Sequence, residues 1–384
     1  MSAPGFRFRT PTSSCSIGSC SGPLVSQHIG RTDWATNGLC GFLFSFGDIV
    51  SSTLYVDSSL SVAKRAEFKR ELTTAGRVGS KRALYEKYLK DIGANGILDG
   101  IEELWPKCHS EAHDLGKVIQ ANVKDVSTSL LVCRDGCYSG CMHGVLMEAF
   151  AGARDAADPE GHVDVEIVKG KMDEICEKDT TMTSAYSPGD CAHATGHALM
   201  VLADYHVDEA IDYCDEFTNP HMRYYCATGA YMEYSGERDR IDVAAGARTF
   251  YPCDVGKYPA ACARYKMVYV ISRLVKKRSD VAKLIRSCNQ LDGAYRVGCY
   301  HGAGNGFMGL IAMKKLALAE VCGEARGDDR TACIDGAMER MSKYHHERAK
   351  EVCTTISGDD KKQCEAAVGR GMYDMDKDLS LYVQ

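Results

Sequence analysis

No block of basic residues interrupts this 384-residue chain, and its formal net charge is −6. Nucleic acids and anionic membrane surfaces are gripped by clustered Lys and Arg, so neither has an electrostatic footprint here. A Gly-rich phosphate loop, a nucleophile elbow and a C-x-x-C-H haem-attachment motif are also missing, which leaves phosphate-cradling, serine-hydrolase and c-type haem chemistry without support. Long apolar runs are scarce. The stretch LCGFLFSFGDIV, Leu39 to Val50, is broken by Asp48 and falls short of the ~20 residues that a spanning helix needs. Membrane contact is therefore expected only through an N-terminal anchor.

The first sixty residues differ from the rest. Arg7, Arg9 and Arg31 stand among many Ser and Thr, and the first acidic residue is Asp33. That composition marks a targeting, anchoring or disordered leader. The sequence divides into this leader at 1–60, a folded domain at 61–375 and a short C-terminal tail at 376–384. A hydrophobic fraction of 45% against 26% charged is ample for a real core.

Cysteine is abundant instead of absent. Nineteen in one chain point to an oxidising compartment or to metal loading, and so to a secreted, lumenal or membrane-anchored extracytoplasmic protein. Beyond residue 170 they fall into pairs: Cys176/Cys191, Cys214/Cys226, Cys253/Cys262, Cys288/Cys299, Cys322/Cys333 and Cys353/Cys364. The second member recurs after 35, 36, 37, 34 and 31 residues. A period in this range marks arrays of helical hairpins. In SDVAKLIRSCNQLDG, Ser279 or Asp280 is suited to N-cap a helix. Val281, Leu284, Ile285 and Cys288 then form a one-sided apolar stripe, and NQLDG supplies a turn. A cysteine ending one helix and another opening the next lie close across an antiparallel hairpin, so a disulfide is expected in each pair. The spacings of 9–15 lack the short chelating step of structural zinc knuckles.

Other positions keep the register. Arg223, Arg296 and Arg330 stand three before their second cysteine, and Gly144, Gly229, Gly302 and Gly336 stand three after one. GVLME (144–148) and GAYME (229–233) are near copies. Upstream, Cys141 matches the second-cysteine position. Cys133–Cys141 and Cys108–Cys137 are the pairings expected there, while Cys15, Cys20 and Cys40 lie in the leader. The expected fold is all-α: an α-solenoid of antiparallel, disulfide-stapled hairpins, which becomes a toroid if its ends meet. From about Ala66 to Asp374 it resembles tetratricopeptide and Sel1-like solenoids in period and hairpin logic, although the tetratricopeptide W…LG…Y…P pattern is absent. That resemblance implies a fold and no activity.

The histidines give a candidate site. In GDCAHATGHALM, His193 and His197 are four apart and share one helix face, and His109 and His113 repeat that spacing. His143 stands two after its cysteine, as His193 and His301 do. Side chains at equivalent places on successive helices converge, so His113, His143, His193 and His197, joined by His109, are the expected ligands of a transition metal. Zinc or copper is indicated, because Met147 and Met232 on the same face would offer soft sulfur. Glu111 and Asp114 are candidate supporting carboxylates, and Glu148 is the candidate general base for metal-assisted hydrolysis or redox chemistry. His301 joins only if the array closes on itself. His28, His162, His206, His221, His345 and His346 read as loop or solvent residues. The competing reading makes the histidines polar groove lining in a scaffold that binds a small molecule or peptide in a concave groove, with Tyr224, Tyr231 and Tyr300 exposed along it. Histidines concentrated in the first units, rather than spread along all of them, favour a metal site.

Overall fold

The computed structural model describes residues 58–105, 107–134, 136–153, 163–177, 187–236, 250–253 and 256–383. The leader expected at 1–60, with its three cysteines and His28, lies outside them apart from its last residues, which open the first helix. His162 is outside them too. Among the described residues there is no β-strand.

The helices run α1 (Ser58–Ala75), α2 (Arg82–Leu104), α3 (His109–Val123), α4 (Val126–Val132), α5 (Gly140–Ala151), α6 (Val165–Met172), α7 (Pro188–Leu202) and α8 (Val207–Cys214). They continue as α9 (Pro220–Gly236), α10 (Pro259–Leu274), α11 (Ser279–Ser287), α12 (Gly293–Ala312), α13 (Leu318–Cys322), α14 (Gly327–Tyr344), α15 (His346–Cys353) and α16 (Gly358–Arg370). The short helices α8, α11 and α15, which lead into the first cysteine of a pair, are amphipathic. In α11, Val281, Leu284 and Ile285 are buried while the charged residues between them are not. Its capping differs from expectation: Ser279 is already helical, and the Asp280 carboxylate reaches back to accept from the amides of Lys276 and Lys277, both at 3.0 Å. The longer helices α5, α7, α9, α10, α12 and α14 are buried over most of their circumference and supply the interior.

Every described cysteine is in a disulfide. The bridges are Cys108–Cys137, Cys133–Cys141, Cys176–Cys191, Cys214–Cys226, Cys253–Cys262, Cys288–Cys299, Cys322–Cys333 and Cys353–Cys364. These are the pairings read from the spacing. Such a set points toward an oxidising compartment. No helix among the described residues is long and apolar enough to cross a membrane. Each bridge closes a short loop and so removes freedom from the unfolded chain. Replacing Cys214 and Cys226, separated by 12 residues, with alanine is expected to lower unfolding stability by about 3 kcal/mol on this account. A shift in urea midpoint at unchanged slope would record it. An unchanged midpoint would mean the bridge constrains nothing the packing does not.

Glycine sets the distance between the long helices. A β-carbon on Gly229 would fall 1.8 Å from the His193 carbonyl oxygen, and one on Gly196 would fall 2.0 Å from that of Cys226. Backbone therefore touches backbone between α7 and α9. The same reciprocal contact joins α3 to α5, where Gly116 faces the Cys141 oxygen and Gly144 that of His113. It recurs between α12 and α14, where Gly304 faces the Cys333 oxygen and Gly336 that of His301. Only a residue without a side chain permits such contact. Ion pairs hold the same register: Arg296 meets Asp329 at 3.1 Å and Arg330 meets Asp360, each in the first turn of the next long helix.

Each long helix packs on the next, from α3 through α5, α7, α9, α10, α12 and α14 to α16. Distant helices also meet. Lys343 of α14 pairs with Asp190 of α7 at 2.5 Å, and Tyr344 lies edge-on to Tyr138 beside α5. The residues after α16 fold back into the interior instead of trailing away. Tyr225 donates to the Asp374 carbonyl, Lys377 pairs with Glu339 at 2.6 Å, and Leu379 and Tyr382 are buried. The segment 376–384, expected as a tail, is thus packed through Tyr382. Tyr224, Tyr231 and Tyr300, expected on an open groove, are core residues. Tyr231 donates to the Lys257 carbonyl and Tyr300 to Asn289.

Candidate metal centre

Three helices deliver five histidines to one place. His109 and His113 lie a turn apart on α3, His143 is on α5, and His193 and His197 lie a turn apart on α7. The glycine contacts press α3 on α5 and α7 on α9, whereas no described glycine bridges α5 to α7. The histidines gather where α3, α5 and α7 meet. His113, His143, His193 and His197 are buried and His109 partly so. One ligand-capable nitrogen from each of His109, His113, His143 and His197 lies within 4.8 Å of the others. His193 sits alongside, its Nε2 3.3 Å from that of His197.

Hydrogen bonds on the far side of the rings decide where the protons are. The Nδ1 of His109 faces the carbonyls of Tyr138 at 3.0 Å and Cys137 at 3.3 Å. A carbonyl only accepts, so this nitrogen donates and Nε2 is left bare. Those carbonyls are aimed inward by three consecutive left-handed residues, Cys137, Tyr138 and Ser139, with φ of 48°, 54° and 61°. Non-glycine residues adopt that region at a cost, and the two disulfides on this turn hold them there. His197 Nδ1 donates to Glu233 at 2.7 Å, and Tyr205 donates to the other carboxylate oxygen at 3.0 Å. His193 Nδ1 is 2.8 Å from the Thr228 hydroxyl, whose own proton goes to the Tyr225 carbonyl at 2.6 Å. Thr228 must then accept, and His193 too carries its proton on Nδ1.

The consequence is specific. His193 and His197 point two bare Nε2 lone pairs at each other across 3.3 Å. His109 points a third at His113 Nε2, 3.2 Å away, where a proton on His113 Nε2 satisfies it. The His193–His197 contact has no such donor and wants a cation. A proton is disfavoured on His109, His113, His143 and His193. Burial first, and the neighbouring His197 second, lower His109 to about 4. Burial and the surrounding histidines push His113, His143 and His193 well below the ordinary imidazole range. Burial alone would raise Glu233, but hydrogen bonds from His197 and Tyr205 help to outweigh it and hold the carboxyl at about 2. The anion is therefore present to orient His197, as carboxylates do behind metal-bound imidazoles.

The carboxylate that meets the histidines is thus Glu233. Glu148, the candidate base, is held by Arg82 at 2.9 Å. Five residues separate it from His143, about 140° around an α-helix, which turns it off the histidine face. Glu111 is taken by Arg77, and Asp114 by Ser80 and the Lys81 amide. His301 stays apart, 3.3 Å from Glu339 and packed on Tyr382. Met232 lines a small cavity with His143 and His193, and Met147 is buried in the core. The missed residues had one usable signal: Glu233 ends GAYME, the near copy of the motif that ends in Glu148. Thr228 and the Tyr138 carbonyl had none.

Compared with known families, curated proteins and solved structures, the chain matches none. Function therefore rests on the site itself.

Proposed function

We propose that this is an extracytoplasmic metal-binding protein, built as an α-solenoid that curls toward a toroid, with a transition-metal centre in its N-terminal repeats. The solenoid reading is supported by the chain of long-helix contacts and the repeated glycine pairs, and the curl by the return of α14 to α7. The metal reading is carried by one observation: the Nε2 lone pairs of neutral His193 and His197 face each other in a buried site, each ring fixed by an acceptor behind it. His109, His113, His143 and His197 are the proposed ligands, with His193 a further donor on the cavity side. Neutral imidazole suits zinc and copper alike. A metal so held would polarise a bound ligand for hydrolysis or exchange electrons. The alternative, a scaffold with a groove for a peptide or small molecule, loses the exposed tyrosines on which it leaned.

Glu233→Gln tests the assignment at a residue that is not itself a ligand. The amide keeps the size of the side chain but loses the charge that favours a metal-bound His197. Metal affinity is expected to fall about 10- to 100-fold, the usual effect of removing such a partner. Competition with a chelator of known affinity would measure it. Unchanged affinity would show that His197 takes no part in holding an ion.

A further inference from the structure

The small cavity beside the histidines holds the next piece of chemistry. Its volume is about 10 Å³, and His143, His193, Arg340, Lys343, Met372 and Tyr373 are among its lining. That is at the lower limit for one water molecule. A second cavity of about 500 Å³ shares Asp190, Lys343, Met372 and Tyr373 with it. The two adjoin, the larger as a vestibule and the smaller as a recess that reaches His143 and His193.

Charge around the recess is out of balance. Lys343 is matched by Asp190, Lys377 by Glu339 and Arg370 by Asp335. Arg340 pairs with no carboxylate among the described residues; it donates to Asn305 at 2.8 Å and lies over the Tyr138 ring. Arg264, 2% exposed, leaves Nε and Nη2 without partners and lies over the rings of Tyr265 and Tyr373, both of which line the recess. Among the described residues, the carboxylate that meets the histidines is Glu233, while Glu339, which also acts on Arg264, is already matched by Lys377. A divalent ion among neutral imidazoles would add two further positive charges, and buried charge left uncompensated is expensive.

We infer that the metal centre takes a water-sized monoanion, of the hydroxide or halide class, as an external ligand in this recess, drawn and held there by Arg340. The inference rests on the metal reading above and adds the class of ligand. The recess has room for one such ion and no more, the fixed charge favours a negative one, and His143 and His193 place it next to the metal ligands. Hydroxide would be the nucleophile of metal-assisted hydrolysis. Tyr373, stacked on His193 with ring centroids 4.3 Å apart, would stand between the anion and the vestibule.

Cobalt(II) and fluoride provide the test. The full-length protein is loaded with cobalt(II), its cobalt content is counted, and the visible absorption is followed as fluoride is added at constant ionic strength. The expected result is a saturable spectral change in the wild type. Fluoride affinity should be weaker by on the order of tenfold in Arg340→Gln, at unchanged cobalt content, from loss of one nearby charge. Arg340→Lys, which keeps the charge, should recover most of it. A protein that binds no cobalt would sink the metal reading itself. Cobalt bound with no fluoride response, or with equal response in wild type and Arg340→Gln, would overturn the anion site and leave the metal site standing.

Discussion

A His113→Ala, His197→Ala double variant is expected to fold with its disulfides intact and to hold no metal. The two side chains come from different helices, α3 and α7, and each faces a partner Nε2 a turn away. Their removal deprives the proposed centre of half its ligands and leaves neither histidine pair complete. No staple is touched, because both residues lie outside the cysteine positions. Truncating two buried rings carries a cavity penalty, and Glu233 loses one of its two hydrogen-bond donors, for a net cost of about 2–5 kcal/mol. Metal content should therefore collapse while helix content stays. The metal-free wild type should also be acid-sensitive. His109 titrates at about 4 when folded, with His113, His143 and His193 also well below their ordinary value. In the unfolded chain these groups take up protons near pH ~6.5. Below that pH the unfolded state binds more protons, so stability falls as pH drops from ~6.5 towards 4. Bound metal adds stability to the folded state alone and should raise the unfolding temperature at neutral pH.

Gly229→Ala is the expected outlier among small substitutions. Its β-carbon would stand 1.8 Å from the His193 carbonyl oxygen, a backbone atom that no side-chain rotation can move away. Helices α7 and α9 would have to separate, carrying Thr228 and Glu233 away from His193 and His197. A loss of at least about 3 kcal/mol follows from overpacking at a rigid contact, with weaker metal binding in whatever folds. Gly170→Ala is the control, since nothing lies within 4 Å of the added carbon in α6. Better helix propensity there should stabilise by about 0.5–1 kcal/mol. Denaturant midpoints of the two variants that moved together would show that the glycine contacts do not set the helix spacing.

Much of this architecture could be read in the residues because it repeats. Cysteine pairs at a steady period specify the staples, and a glycine three after the second cysteine specifies where backbones touch. The pairings Cys108–Cys137 and Cys133–Cys141 followed by the same logic. The histidine spacing placed five side chains on facing helices. What stayed hidden depends on azimuth and on contacts remote in sequence. Glu148 and Glu233 end near-identical motifs, yet one turns to Arg82 and the other to His197. Tyr224, Tyr231 and Tyr300 look like interface aromatics but are buried by neighbouring helices. Residues 371–383 carry no periodic signal, because their stability comes from polar and aromatic contacts inside the fold. Tyr373 on His193 and Lys377 on Glu339 are such contacts.

The most direct test of the central claim is a metal count. Protein produced in an oxidising compartment is stripped with a chelator, exposed to limiting zinc or copper at neutral pH, and desalted. Native mass spectrometry then reads the ions bound per chain. The expected result is a single stoichiometric ion in the wild type and none in the His113→Ala, His197→Ala variant. A wild-type chain that emerges without metal, or a double variant that retains as much, would contradict it and leave the histidines as buried polar packing.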